Sequence, residues 1–305
     1  MNEIAYHRIL RDSDRHRWYK PLLVLLIAGG IYFGLIVVLL LVMFAVALSS
    51  ENGAAFFTDT NALESLISFN TPAGIAFALV SVILMWPPAS AAIRMIYGRG
   101  TPRRISASLF SVAGKMRWGR LGRYFVAAIA VIGASIVIDV AVNGIPTWSL
   151  DERALLMLAI ALGLVAFQAT AEEVVFRGLF MTAIGSWLRH PAWAVLLPVP
   201  LFVIGHAYDA VGLTDIAVFA IAAGYLTVRT GGLEAAIAMH VINNAAAFGF
   251  GIATGADLDA TEVAPAAAAV SIVTTLVYVA VVEWMERRRA RTEPVSPPEN
   301  AVLPS

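Results

Sequence analysis

Long apolar runs separated by short polar stretches organise this chain of 305 residues. The first run, Pro21–Leu48, has Trp18 and Tyr19 at its mouth, where amphipathic rings sit at a membrane interface. The second is Pro72–Tyr97, which the Pro87-Pro88 pair is expected to kink. The third is Tyr124–Val142. The fourth, about Leu150–Leu188, exceeds the roughly 20 residues that cross a bilayer, so it must tilt or break. The fifth starts near Pro191, holds Pro198 and Pro200, and ends on Phe202-Val-Ile-Gly-His206. The sixth, about Asp215–Val228, is short for a crossing. Leu233–Ile252 and Ala266–Met285 complete the set. The pattern predicts an all-α, polytopic membrane helix bundle of about eight transmembrane helices. Residues 1–20 read as an interfacial or disordered basic arm, 21–286 as the membrane domain with its core at about 150–252, and 287–305 as a tail. In the basic loop Gly98–Arg123, Leu109, Phe110, Val112 and Trp118 interleave with seven Lys or Arg, which predicts an amphipathic segment on the membrane surface.

Composition agrees with that pattern: 59% of residues are hydrophobic and 14% charged, with a mean hydropathy of +0.78. The net charge of zero offers no bulk attraction to nucleic acid, and the absence of cysteine removes disulfides and thiolate metal sites. The first run follows a long polar arm and lacks a small-residue cleavage site, so it reads as a span and not a removed signal peptide. Charge then orients the bundle. With eight spans, the basic arm, the basic loop, Arg189, Arg229 and the arginines of Arg287–Arg291 fall on one side, and only Arg153 falls on the other. The positive-inside rule places both termini in the cytoplasm, as in an inner (cell) membrane protein.

Polar groups inside apolar helices mark the chemistry. The fourth run carries Glu172, Glu173 and Arg177, each costing roughly 2.5–3.5 kcal/mol at bilayer depth if unpaired. Glu173 and Arg177 are four residues apart and can pair on one helix face, whereas Glu172 points elsewhere. The fifth run carries His206. The seventh carries His240 and Asn244 on one face, with Asn243 beside them. Ala169, Ala171, Gly178, Gly205, Ala236, Ala238, Ala245 and Ala246 surround these groups and permit close helix approach. One interior pocket of carboxylate, imidazoles and amide follows. It could bind a divalent metal, or it could activate water and stabilise an oxyanion. Depth along the helices is a difficulty: counted from the run starts at about 1.5 Å per residue, His206 and His240 lie at different levels.

The three motifs Glu172-Glu173-x-x-x-Arg177, Phe202-x-x-x-His206 and His240-x-x-x-Asn244, in this order on three apolar helices, resemble those of the CPBP intramembrane proteases. This group is also called the CAAX-protease and bacteriocin-processing (Abi) family, and the resemblance covers about Leu155–Phe250. It implies an intramembrane endopeptidase acting on a membrane-embedded or membrane-proximal peptide. Glu172 would be the general base, His206 would position the water, and His240 with Asn244 would stabilise the oxyanion. Glu173 and Arg177 would be the structural pair. The resemblance leaves a metal-dependent and a glutamate-driven mechanism both open. Glu172, His206 and His240 would be the three ligands of a catalytic zinc, although no His-Glu-x-x-His helix is present. The rival class is a transporter or scaffold using the same groups as an ion relay, against which stands the absence of an internal repeat.

Overall fold

The computed structural model describes residues 5–49, 67–98 and 109–292. The described chain is helical: α1 Lys20–Ser49, α2 Pro72–Ile83, α3 Trp86–Tyr97, α4 Trp118–Asn143, α5 Glu152–Glu172, a π-helical stretch Glu173–Phe180, α6 Met181–Trp187, α7 Pro191–Leu196, α8 Val199–Ile204, α9 Ala210–Thr230, α10 Glu234–Thr254 and α11 Pro265–Thr292. The starts are capped locally. The side chains of Thr71, Asp151 and Asp209 accept from the backbone N–H of Gly74, Ala154 and Gly212. The α9 end is closed by Gly231 in the left-handed region, at φ +67°, which a residue with a Cβ rarely adopts.

Seven helical stretches among the described residues are long and apolar enough to cross a membrane, with α2–α3 and α5–α6 each counted as one. The expected eighth, Pro191–Ile204, falls short of the others. Pro198 and Pro200 split it into two six-residue helices, and at 1.5 Å per residue it reaches about 21 Å against a hydrocarbon core of about 30 Å. It still connects the two ends of the bundle. At one end the His7 ring meets the Arg189 carbonyl, and at the other the Asp209 N–H donates to Thr261.

The basic segments among the described residues gather at a single end. The Tyr6 hydroxyl donates to the Leu109 carbonyl, Phe110 and Val112 pair with Leu233 and Gly231, Arg117 binds Glu234, and Arg120 binds Glu286. Arg153 lies at the opposite end against the Asn70 carbonyl. The alternation expected from eight segments is therefore kept, with both ends of the described chain at the basic end.

Two sequence expectations change here. The N-terminal arm is docked: Tyr6, His7 and Leu10 are buried, and Arg8 donates to the Gly185 carbonyl. Of the expected amphipathic surface segment, residues 99–108 lie outside the described residues, and Leu109–Val112 is an inserted strand-like bridge, with Leu109 fully buried and Ser111 paired to Gly232. Trp118 alone of that set is largely exposed. Both changes arise because a membrane bundle leaves unpaired backbone and apolar side chains at its ends, and these segments fill them. The sixth and eighth helices also run longer than the apolar runs, because Asp209 caps one and the other continues through Arg287–Arg291.

Helix α5 occupies the centre, packing most heavily on α2 and α10, while α10 also packs on α4. The larger apolar core lies towards the basic end and includes Tyr97, Tyr124, Phe202 and Tyr278; a smaller one, built on Ile75, Leu79, Met157 and Ile252, lies at the opposite end.

Candidate active site

The site forms where α5 opens into the π-helical stretch, opposite the first half of α10. Four of the small residues, Ala169, Ala171, Ala236 and Ala238, are completely buried, so the two backbones come close. The π geometry, with the Met181 N–H reaching back five residues to the Phe176 carbonyl, begins at Glu173. Such turns recur at functional sites because they re-aim side chains that a regular helix would fan apart.

Four ionisable groups meet here. Glu173 is fully buried, and its Oε1 accepts from Arg177 at 2.8 Å and from His240 Nδ1 at 2.7 Å. Arg177 is 3% exposed; it also donates to the Ala220 carbonyl at 3.2 Å and lies 4.4 Å from the centre of the Phe202 ring. Donation from Nδ1 to Glu173 sets the His240 tautomer and turns Nε2 towards Glu172, whose Oε2 is 3.3 Å away. This contact is within ion-pair distance but makes no hydrogen bond, so Glu172 Oε2 is buried without a donor, as is Glu173 Oε2.

One helical turn further along both helices, the Asn244 amide donates to Gln168 Oε1 at 3.1 Å, and Asn243 donates to Asn244 at 3.4 Å. Gln168 is 6% exposed and lies outside the three sequence motifs. The signal was present in its i, i+4 spacing from Glu172. Tyr32, the one polar side chain in the interior of α1, is half-buried and within electrostatic reach of Glu172; no local pattern connects it to α5.

His206 takes a different position. It follows the end of α8, and its Nδ1–H donates to the Phe202 carbonyl at 2.8 Å, which leaves Nε2 as the acceptor. Its ring lies 4.9 Å from Phe202, and the same Phe202 ring lies 6.2 Å from His240. Phe202 thus contacts both imidazoles. No hydrogen bond or ion pair among the described residues joins His206 to Glu172, His240 or Asn244.

The same arrangement tests the metal reading. Among the described residues, no three His, Asp or Glu side chains come together to hold an ion. Glu172 and His240 meet, but His206 does not complete a three-ligand set, so the donors present do not fit the catalytic zinc geometry.

Comparison with known proteins bears on the same segment. Residues 154–246 match the family model described as "Type II CAAX prenyl endopeptidase Rce1-like". The segment is an Rce1-like domain of the CPBP/CAAX protease family. All seven motif residues, from Glu172 to Asn244, lie within it. The chain is also similar to the uncharacterized protein YyaK of Bacillus subtilis (strain 168), at 30% identity over 142 residues, which cover 43% of this chain and 47% of that protein. The match thus spans about half the length of that relative. No solved structure matches. Seven helices long and apolar enough to cross a membrane, together with this match at residues 154–246, indicate an integral membrane protein.

Proposed function

We propose that this protein is a glutamate-driven intramembrane endopeptidase that hydrolyses a peptide bond in or near the bilayer. The observation that carries the reading is the buried Glu172 oxygen without a donor, facing His240 Nε2 at 3.3 Å. A carboxylate held at membrane depth without a full set of hydrogen bonds is costly, and it is poised to take a proton. Glu172 deprotonates the attacking water, and His240 Nε2 is the neighbouring site for that proton. Asn244, one turn on, donates to the carbonyl oxygen as it becomes an oxyanion. His206 presents its free nitrogen from the α8 side and orients the water. Glu173 and Arg177 hold His240 and the π-helical stretch in place, and no step passes through a metal. The basic end of the bundle faces the cytoplasm, and the substrate is a membrane-embedded or membrane-proximal peptide.

The test compares membrane proteomes of cells carrying the wild type and Glu172→Gln, scored for fragments with new termini. Fragments that vanish with the variant, at equal protein level, support the reading. A Glu172→Gln protein that keeps the wild-type fragment set refutes it. Metal or proton flux in proteoliposomes without any cleavage would move the assignment to transport.

A further inference from the structure

The amide pair beside the acid–imidazole pair holds more donors than the fold uses. Helices α5 and α10 run antiparallel, so Glu172 with His240 and Gln168 with Asn244 form two rungs across the same interface. The rungs are four residues, or about 6 Å, apart on both helices. The Asn244 and Gln168 amides carry four N–H groups between them. One is spent, from Asn244 to Gln168 Oε1. The Gln168 amide nitrogen has no partner among the described residues, although the side chain is more than nine-tenths buried. It is also not among the side-chain atoms sealed off without a partner, so it keeps some accessible surface. A buried amide with unspent N–H groups in an apolar interior is destabilising unless something accepts from it.

Resting on the endopeptidase reading above, we propose that Gln168 is a second oxyanion donor. Its amide N–H and the spare N–H of Asn244 form a two-amide hole for the scissile carbonyl oxygen. The spacing suits the chemistry. A carbonyl carbon attacked by water at Glu172, with a hydrogen bond of about 2.8 Å on either side, spans about one helical turn. As the water oxygen bonds to the carbonyl carbon, the water proton passes to Glu172 and the carbonyl electron pair moves to the oxygen held by the two amides. Collapse returns that pair, breaks the C–N bond and delivers the proton from Glu172 to the leaving amine. Gln168 stays neutral throughout, so it stabilises the developing charge without altering the charge on the base.

The experiment uses the full-length protein in proteoliposomes, with solubilised membranes from cells lacking it as the probe, and follows the rate at which new peptide termini appear. Gln168→Met is expected to lower that rate about 10²-fold with an unchanged thermal midpoint. Gln168→Asn, which withdraws the amide by one methylene, should also lose rate and covers the case in which the methionine variant fails to fold. Gln168→Glu keeps an acceptor for Asn244 but removes the donors, so no rescue is expected; rescue would show that Gln168 only positions Asn244 and would overturn the proposal. A wild-type rate in Gln168→Met or Gln168→Asn overturns it as well. Glu172→Gln runs alongside: full cleavage there sinks the endopeptidase reading itself, whereas lost cleavage with active Gln168 variants sinks the second donor alone.

Discussion

Two buried clusters of charge in this molecule use the same residue types and are finished differently. At the basic end, Glu234 is fully buried and both its oxygens are occupied. Arg117 donates to it from its backbone N–H, from Nε at 2.7 Å and from a terminal nitrogen at 2.6 Å. Beside it Glu286 receives Arg120 and the Tyr124 hydroxyl. In the centre, Glu173 is as deeply buried and Glu172 nearly so, yet each keeps a buried oxygen without a donor. The end cluster ties the 109–117 segment, α10 and α11 together and has no carboxylate oxygen left to offer. The central one has unspent acceptors, a shared imidazole and, one turn on, unspent amide donors. Burial of charge marks both places. Carboxylates left incompletely satisfied mark the one to which we assign chemistry.

The sharpest way to break that comparison is to remove one carboxylate from each cluster. Glu172→Gln is expected to lower the rate of fragment formation about 10²–10⁴-fold, as for loss of a general base. Its thermal midpoint in detergent should stay at or above that of the wild type, because the oxygen it replaces had no donor. Glu234→Gln should do the reverse. It leaves the Arg117 guanidinium without its carboxylate, at about 3–5 kcal/mol of stability, while the cleavage rate per folded molecule is retained. Denaturation in micelles and the fragment assay on the same preparations read both effects. A Glu234 variant that is stable but inactive would mean that the two clusters are not separate devices.

Smaller effects test whether the basic end is a built assembly or a loose fringe. Gly185 lies against the docked arm, and a Cβ there would overlap the His7 carbonyl. Gly185→Leu should therefore displace the arm and cost about 1–3 kcal/mol. Faster amide exchange in residues 5–12, with the fragment assay unchanged, is the expected result. Wild-type exchange in that segment would mean that the arm does not pack on α6.

What could be read from sequence divides along the same line. Helix existence, the break near Pro87-Pro88, the over-long fourth run and the Glu172–Glu173–Arg177 stretch follow from local pattern, because hydropathy and proline act within one helix. The meeting of α5 with α10 was legible because His240 and Asn244 share a face, as do Glu173 and Arg177. What stayed hidden depends on distant partners. Nothing near Tyr6 announces the Leu109 carbonyl more than a hundred residues away, and Leu109 itself looked like part of an amphipathic surface segment. The π-helical stretch has no sequence signature, since the same residues would also suit a regular helix. Gln168 was overlooked because a single amide beside two carboxylates has the less conspicuous chemistry.

The gentlest probe of the basic end is pH. His7 is buried against α6, with its ring on the Arg189 carbonyl and with Arg8 and His190 as neighbouring groups of the same charge type. Burial, foremost, and then those neighbours hold its imidazole below the ordinary value of 6.5 in the docked arm. An undocked arm thus binds the proton more readily than a docked one, so docking is strongest above 6.5 and weakens as pH falls below it. Amide exchange of residues 5–12, corrected for intrinsic rates, should therefore rise relative to α9 on mild acidification. His7→Phe, which keeps the ring and removes the titration, should flatten that rise. Glu172 and His240 share no hydrogen bond with the arm, so the distribution of fragments should not follow the same curve. If it did, the arm and the central cluster would be coupled, and the contrast between satisfied carboxylates at the end and unsatisfied ones in the centre would have to be given up.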